Sequence, residues 1–138
     1  MEEIKLYQPV IVTEAILGII TGVAISVPFI RIPALIVIFA LSGIFALIQY
    51  ITQISQEKIM PKEMSVLSAG GGFVCAFCSC IVFVPIALIF DVFGFRNLLD
   101  GINVFFLIFF AFFFSLICAM TNIFTGSIFT YIYNLSKK

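Results

Sequence analysis

Four apolar runs divide the chain, at Val10–Ile30, Ile32–Ile54, Ser65–Phe90 and Ile102–Tyr133. Each reaches the roughly 20 residues that a helix needs to cross a hydrocarbon layer about 30 Å thick. Stretches such as PALIVIFAL and FFLIFFAFFF are apolar at successive positions. That is neither the period-two alternation of a membrane β-barrel nor the single apolar stripe of a helix on a soluble core. The pattern predicts an all-α, polytopic membrane protein: one transmembrane domain over 1–138, folded as a four-helix bundle.

Prolines and polar clusters punctuate the runs. Pro9 suits a helix start, where its missing N–H is no loss. Pro28-Phe-Ile-Arg-Ile-Pro33 reads as a short connection, and Gln49, Tyr50 and Gln53 mark the exit of the second run into water. Ser55–Met64 (SQEKIMPKEM) is the most polar stretch and reads as a loop between two hairpins. Pro85 closes a third span opening at Ser65. The following IALIFDVFGFRNLLDG, with Asp91, Arg96 and Asp100, reads as an interfacial connection. The last run would extend about 48 Å as one helix, so it either tilts or carries its Phe-rich start outside the hydrocarbon.

Composition fits this solvent. The chain is 63% hydrophobic and 10% charged, against about 25% charged in soluble domains, and its mean hydropathy is +1.28. Its net charge is zero and its basic residues are scattered, which argues against nucleic acid as a partner. Glu2 and Glu3 open the chain, unlike the basic start of a secretory signal, so the first run is expected to stay as a span. Four spans place both ends and the central loop on one side, with Lys5, Lys58, Lys62, Lys137 and Lys138. Arg31 and Arg96 fall on the other. The excess of basic residues predicts cytoplasmic termini in a cell membrane. Tyr7, Tyr50, Tyr131 and Tyr133 cluster at that same end.

Small residues recur at helical spacing. Glu14, Gly18 and Gly22 lie four apart on one face, joined by Thr21. Gly18-x-x-x-Gly22 is a small-xxx-small pattern for close helix packing, inside the bundle or across a homodimer. Gly43, Gly71, Cys75, Ser79 and Gly126 complete the expected packing set, with Gly71, Cys75, Cys78 and Ser79 as a narrow stripe on the third span. The two halves also align. Setting SVP of the first span on FVP of the third matches Gly18 to Cys75 and Gly22 to Ser79. Ser42-Gly43 matches Thr125-Gly126, with Tyr50 and Tyr133 each seven residues after the glycine. A duplicated hairpin would give parallel repeats about an axis along the membrane normal.

Three groups carry candidate chemistry. Glu14 is the acid inside a span; intramembrane carboxylates are costly and mark proton or ion sites, although this one could also reach the headgroups. Asn122 lies near mid-span on a stripe with Ser115, Cys118 and Thr125, placed for interhelical hydrogen bonding or for lining a path opposite Glu14. Cys75-Ala-Phe-Cys78-Ser-Cys80, with Cys118, invites a zinc or redox reading. Yet Cys80 projects about 140° from Cys75 on a helix, and the chain has no histidine. Packing is the simpler role, and no metal or cofactor is expected. No nucleotide loop, hydrolase elbow or zinc-protease helix is present, so the chain is read as non-enzymatic.

Gly18, Gly22 and Pro28 in the first hairpin, Gly70, Gly71, Gly72 and Pro85 in the third span and Gly126 in the last resemble the punctuation of small four-span membrane proteins of archaea and bacteria whose function is unknown. The resemblance spans the chain and implies no activity. The Ile- and Phe-rich usage suits an AT-rich, archaeal-like genome. In size and in its first-span carboxylate the chain is also similar to small multidrug exporters, but it has no tryptophan and lacks that family's later aromatic and glycine pattern. The leading functional reading is a self-associating or accessory subunit in the lipid bilayer, forming a homo-oligomer or part of a larger membrane complex. The alternatives are a small proton- or cation-coupled transporter or channel using Glu14 and Asn122, and a membrane thiol-redox protein using Cys75 and Cys78.

Overall fold

The computed structural model describes residues 2–54, 58–93 and 104–137. They form α1 (Glu2–Ser26), α2 (Arg31–Ile36), a π-helical turn (Val37–Leu41), α3 (Ser42–Ile54), α4 (Pro61–Val92) and α5 (Val104–Ser136). No strand occurs among the described residues. With α2, the π turn and α3 counted as one continuous rod, four helices are long and apolar enough to cross a membrane. In hydrocarbon every backbone group must be paired within the chain, which is why sequences this rich in β-branched residues are nonetheless helical.

Three boundaries differ from the expected ones. Pro9 lies inside α1 rather than at its start. The cost of a proline there is one missing hydrogen bond, and the Pro9 carbonyl gains others, from Thr13 Oγ1 at 2.9 Å and Gln49 Nε2 at 3.3 Å. Helix α4 starts at Pro61, inside the stretch read as loop, because Glu63 caps it. One Glu63 carboxylate oxygen accepts the Met60 N–H at 3.1 Å, and the other accepts the Tyr50 hydroxyl at 2.8 Å. This is the acidic half of a capping box. Pro85 does not end the third span, since α4 continues through it to Val92. Prolines are tolerated in membrane helices where neighbours and local adjustment re-satisfy the backbone. The remainder of the expected interfacial connection, with Arg96 and Asp100, lies outside the described residues.

The connection at Pro28 is a tight turn, as the two prolines suggest. Its backbone bonds run from Val27 N to Ala24 O and from Ile30 N to Val27 O. The Arg31 Nε donates across it to Ile25 O at 3.0 Å. At the opposite end of the bundle, Asn134 of α5 makes two bonds with the Ile59 backbone, one donated and one accepted, each 3.0 Å. This clamp ties the approach to α4 onto the C-terminal helix.

Helix α4 is central. It packs against α1, α5 and the α2–α3 rod, whereas α1 and α5 lie on opposite sides of it and do not meet. Rising residue numbers touch rising residue numbers between α1 and α4 (Gly18 with Cys75, Gly22 with Ser79), so those helices are parallel. Contacts between α4 and α5 run the other way (Gly72 with Asn122, Ser68 with Gly126), so those are antiparallel. One apolar core, Val10, Ala46, Leu47, Tyr50, Ile59 and Leu67, fills the end that carries both termini. A second, Ile38, Cys75, Ala76 and Cys118, lies deeper. Phenylalanines 106, 109, 110, 112 and 113 of α5 turn outward, as residues facing lipid should.

Candidate functional site

The packing residues expected from the sequence are all at helix contacts, and the contacts are tight enough to require their size. A Cβ on Gly18 would stand 2.5 Å from the Cys75 carbonyl oxygen, and one on Gly22 would stand 2.6 Å from that of Ser79. Gly43 faces the Asn122 side chain, Gly71 faces Ala46 and Glu14, and Gly126 faces Ser68 and Leu47. Hydroxyls reinforce the α1–α4 seam. Ser79 Oγ donates to Gly18 O at 2.8 Å and lies 2.7 Å from Thr21 Oγ1. The Gly18-x-x-x-Gly22 face is therefore filled by α4 of the same chain, which removes it as a homodimer face.

The aligned halves meet in part. Gly18 touches Cys75 and Gly22 touches Ser79, so residues matched by the first alignment are in contact. The second match is not a contact, since Gly43 sits on Asn122 and Gly126 on Ser68. A twofold relation would also make the α1–α5 distance equal that of α3 and α4. Only the latter pair packs.

Asn122 uses its whole hydrogen-bonding capacity. Its Nδ2 donates to Ile38 O and Cys118 O, both at 2.8 Å. Its Oδ1 accepts from Gly43 N at 2.8 Å and Ser42 Oγ at 3.2 Å. Ile38 O and Gly43 N are five residues apart, the separation that a π turn would itself pair. The carboxamide of α5 thus bridges a donor and an acceptor at the π turn, and neither of its atoms is left for a solute. The stripe on α5 runs through Ser115, Cys118, Asn122 and Gly126, all buried; Thr125, expected on it, is only half-buried and bonds back to its own helix.

Glu14 is the opposite case. It is 1% exposed, and neither carboxyl oxygen has a hydrogen-bond partner. It does not reach out to headgroups. Its residue borders an open groove of about 360 Å³ between α1 and α3, lined also by Thr13, Leu17, Phe45, Ile48, Gln49 and Thr52, but both carboxyl oxygens are sealed from it. Gly71 provides its space on the α4 side. An ionised carboxylate buried without a partner is very costly, which makes Glu14 the candidate site for a proton or a cation. Gln49 belongs to the same groove. It is only half-buried and reads in the sequence as a marker of exit into water. What gives it away is its position next to Tyr50, which is buried at 3% rather than placed among headgroups.

The four cysteines are free thiols, Cys75 and Cys118 buried, Cys78 and Cys80 half-buried. Among the described residues no group of three or more His, Cys, Asp or Glu is placed to hold a metal. Cys75 packs with Ile38, Ala76 and Cys118 as an apolar residue would. Gly72 entered the sequence reading only as punctuation and Ser68 not at all, yet they carry Asn122 and Gly126. The signal was present: Ser68, Gly72, Cys75 and Ser79 recur at helical spacings of four, three and four. Comparison with protein-family models, curated proteins and solved structures finds no match for this chain.

Proposed function

We propose that this chain is a small, non-enzymatic transporter or channel of the cell membrane in which Glu14 binds the proton or cation. The observation that carries the reading is a carboxyl 1% exposed, with both oxygens unpartnered, bordering an open groove. Such a group in a span is retained against a large desolvation cost, which is the mark of an ion site. In this reading Asn122 is a structural support and does not line the path. The termini and the α3–α4 connection face the cytoplasm, following the excess of lysines there.

The test is electrical. The full chain is reconstituted in vesicles on a solid-supported membrane and exposed to concentration jumps of protons, Na+, K+ and methylammonium. The wild type is expected to give a charge displacement with at least one of them, and Glu14→Gln none. Equal responses from both proteins across the panel would reject the reading.

A second reading, an accessory or self-associating subunit, is favoured by Gly70. It is exposed, has nothing within 4 Å of a Cβ built on it, and borders a groove of about 100 Å³ between α1 and α4. Among the described glycines the others are filled from within, which leaves this outer notch for such an assembly. A Gly70→Leu change would abolish oligomers seen by light scattering in detergent if this reading holds.

A further inference from the structure

Helix α3 is out of step with α2. Ahead of it, Ala34 and Ile38 are buried. Continued at α-helical spacings of three and four, that face would run through Leu41, Phe45, Ile48 and Thr52, and these are exposed. The face that α3 buries is displaced from it, through Ser42, Ala46 and Tyr50. The step is made at the π turn. There the Ser42 N–H pairs with Val37 O, five residues back rather than four, so one residue is held out of the α-helical count and α3 is turned by about 100°. Two contacts depend on it. The step sets Ala46 against Gly71, where a Cβ on the glycine would stand 2.9 Å from the Ala46 Cβ; without it that place would fall to Phe45, which does not fit. It also turns Gln49 and Thr52 to the groove beside Glu14, where Ile48 and Ile51 would otherwise stand.

The step opens a gap in the rod. Ile38 O and Gly43 N stand five residues apart, one too many for an α-helical bond. Asn122 closes the gap with Nδ2 on the first and Oδ1 on the second, each at 2.8 Å. Its slot is fitted: a Cβ on Gly43 would stand 2.9 Å from the Asn122 Cβ, and one on Gly72 would stand 2.7 Å from Nδ2. We propose that Asn122 is the positioning residue of the Glu14 site: by filling this gap it holds α3 in the stepped register, which seats Ala46 on Gly71 beside the acid and gives the groove its polar lining. The role rests on Glu14 being the ion-binding group, but the geometry that assigns it needs no bound charge. It also makes one residue of the π turn spare. Without Ala40, the Ser42 N–H lies four residues from Val37 O and the Gly43 N–H four from Ile38 O. The backbone then makes both pairings itself, and α3 keeps its present face toward α4.

The experiment is a double-mutant cycle in detergent, combining deletion of Ala40 with Asn122→Ala. It is followed by thermal unfolding and by dicyclohexylcarbodiimide labelling of Glu14, read by mass spectrometry. The chain lacking Ala40 is expected to fold, whereas deleting Ile20 from α1, a continuous α-helix with no residue to spare, should abolish folding. Asn122→Ala should lower the unfolding midpoint of the full-length chain and speed Glu14 labelling by about tenfold, as the loss of two interhelical bonds would. In the chain lacking Ala40 the same substitution should do neither. Equal losses in both backgrounds, or a chain lacking Ala40 that folds no better than one lacking Ile20, would overturn the proposal. Glu14 labelling indifferent to a destabilising Asn122→Ala would overturn it too, by reducing the amide to a packing role. Should Asn122→Ala alone fail to fold, recovery of folded protein on deleting Ala40 supports the proposal, and no recovery overturns it. Silent concentration jumps would remove the ion-site reading and leave these results standing, since neither unfolding nor labelling needs a bound ion.

Discussion

A Cβ on Gly71 would lie 3.5 Å from Glu14 Cγ and 2.9 Å from Ala46 Cβ, so the buried acid occupies space that α4 leaves by having no side chain. The neighbouring glycines differ sharply: Gly70 meets nothing within 4 Å, and Gly72 would drive a Cβ to 2.7 Å from Asn122 Nδ2. Alanine at the three positions should therefore give three results. Gly70→Ala should be neutral or stabilise by up to about 1 kcal/mol, the helical advantage of alanine. Gly71→Ala and Gly72→Ala should each cost about 1–3 kcal/mol through overpacking, and Gly71→Leu should prevent the bundle from forming. Thermal unfolding in detergent followed by circular dichroism orders them. A Gly70→Ala as damaging as Gly71→Ala would mean that α4 presents a different face.

Asn122 should be the most sensitive polar residue. Removing its amide with Asn122→Leu leaves Gly43 N, Ile38 O and Ser42 Oγ without their α5 partner. A single interhelical bond in a membrane is worth about 0.6–2 kcal/mol, and several are lost together, so a cost above about 2 kcal/mol is expected. Hydrogen exchange gives the local check: the Gly43 amide should be protected in the wild type and exchange readily in the variant. Continued protection would show that Gly43 has a backbone acceptor of its own.

On the α1–α4 seam, Gly18→Ala should destabilise more than Ser79→Ala. The first forces a methyl against the Cys75 carbonyl, which is backbone and cannot swing away. The second removes a hydroxyl bonded to Gly18 O, at about 0.6–2 kcal/mol. The same unfolding assay compares them, and the reverse order would place the tight contact elsewhere.

Cys75→Ala and Cys78→Ala should leave the fold intact, at about 1 kcal/mol or less each, because the positions call for small side chains and no thiol chemistry. Maleimide labelling in detergent should modify Cys78 and Cys80 first, and Cys75 and Cys118 only on unfolding. Cobalt added to the wild type should give no thiolate charge-transfer band. Such a band, lost in Cys75→Ala, would restore the metal reading.

The four spans were legible because lipid leaves few choices: long apolar runs without period-two alternation can only be helices. Glycine spacing placed Gly18, Gly22, Gly71 and Gly126 at contacts for a similarly simple reason, since close approach needs small residues. Helix ends were less legible. Pro61 and Pro85 look alike in the sequence, but one starts a helix because Glu63 caps it and the other lies within one. The π turn at Val37–Leu41 left no sequence mark of its own, being held in part by an amide 80 residues away from Ser42. Glu14 could be named from sequence, but whether it points to headgroups or into the bundle depends on Gly71, and that pairing is tertiary. Gln49 was passed over because an amide near a span's end looks like a solvent marker until its partners are known.

Along α1 and α4, Glu14 meets Gly71, Gly18 meets Cys75 and Gly22 meets Ser79, every pair separated by the same 57 residues. Two parallel helices meeting at equivalent positions have the geometry of a symmetric pair, but here the members are joined in one chain and differ in sequence. In a pair of identical halves, an acid at this level would face its own copy, and two carboxyls would crowd one space and share a proton. Covalent linkage lets one half keep the acid while the other supplies the gap. On the proposed reading of Glu14, the expected stoichiometry is one carboxyl and one bound charge per chain.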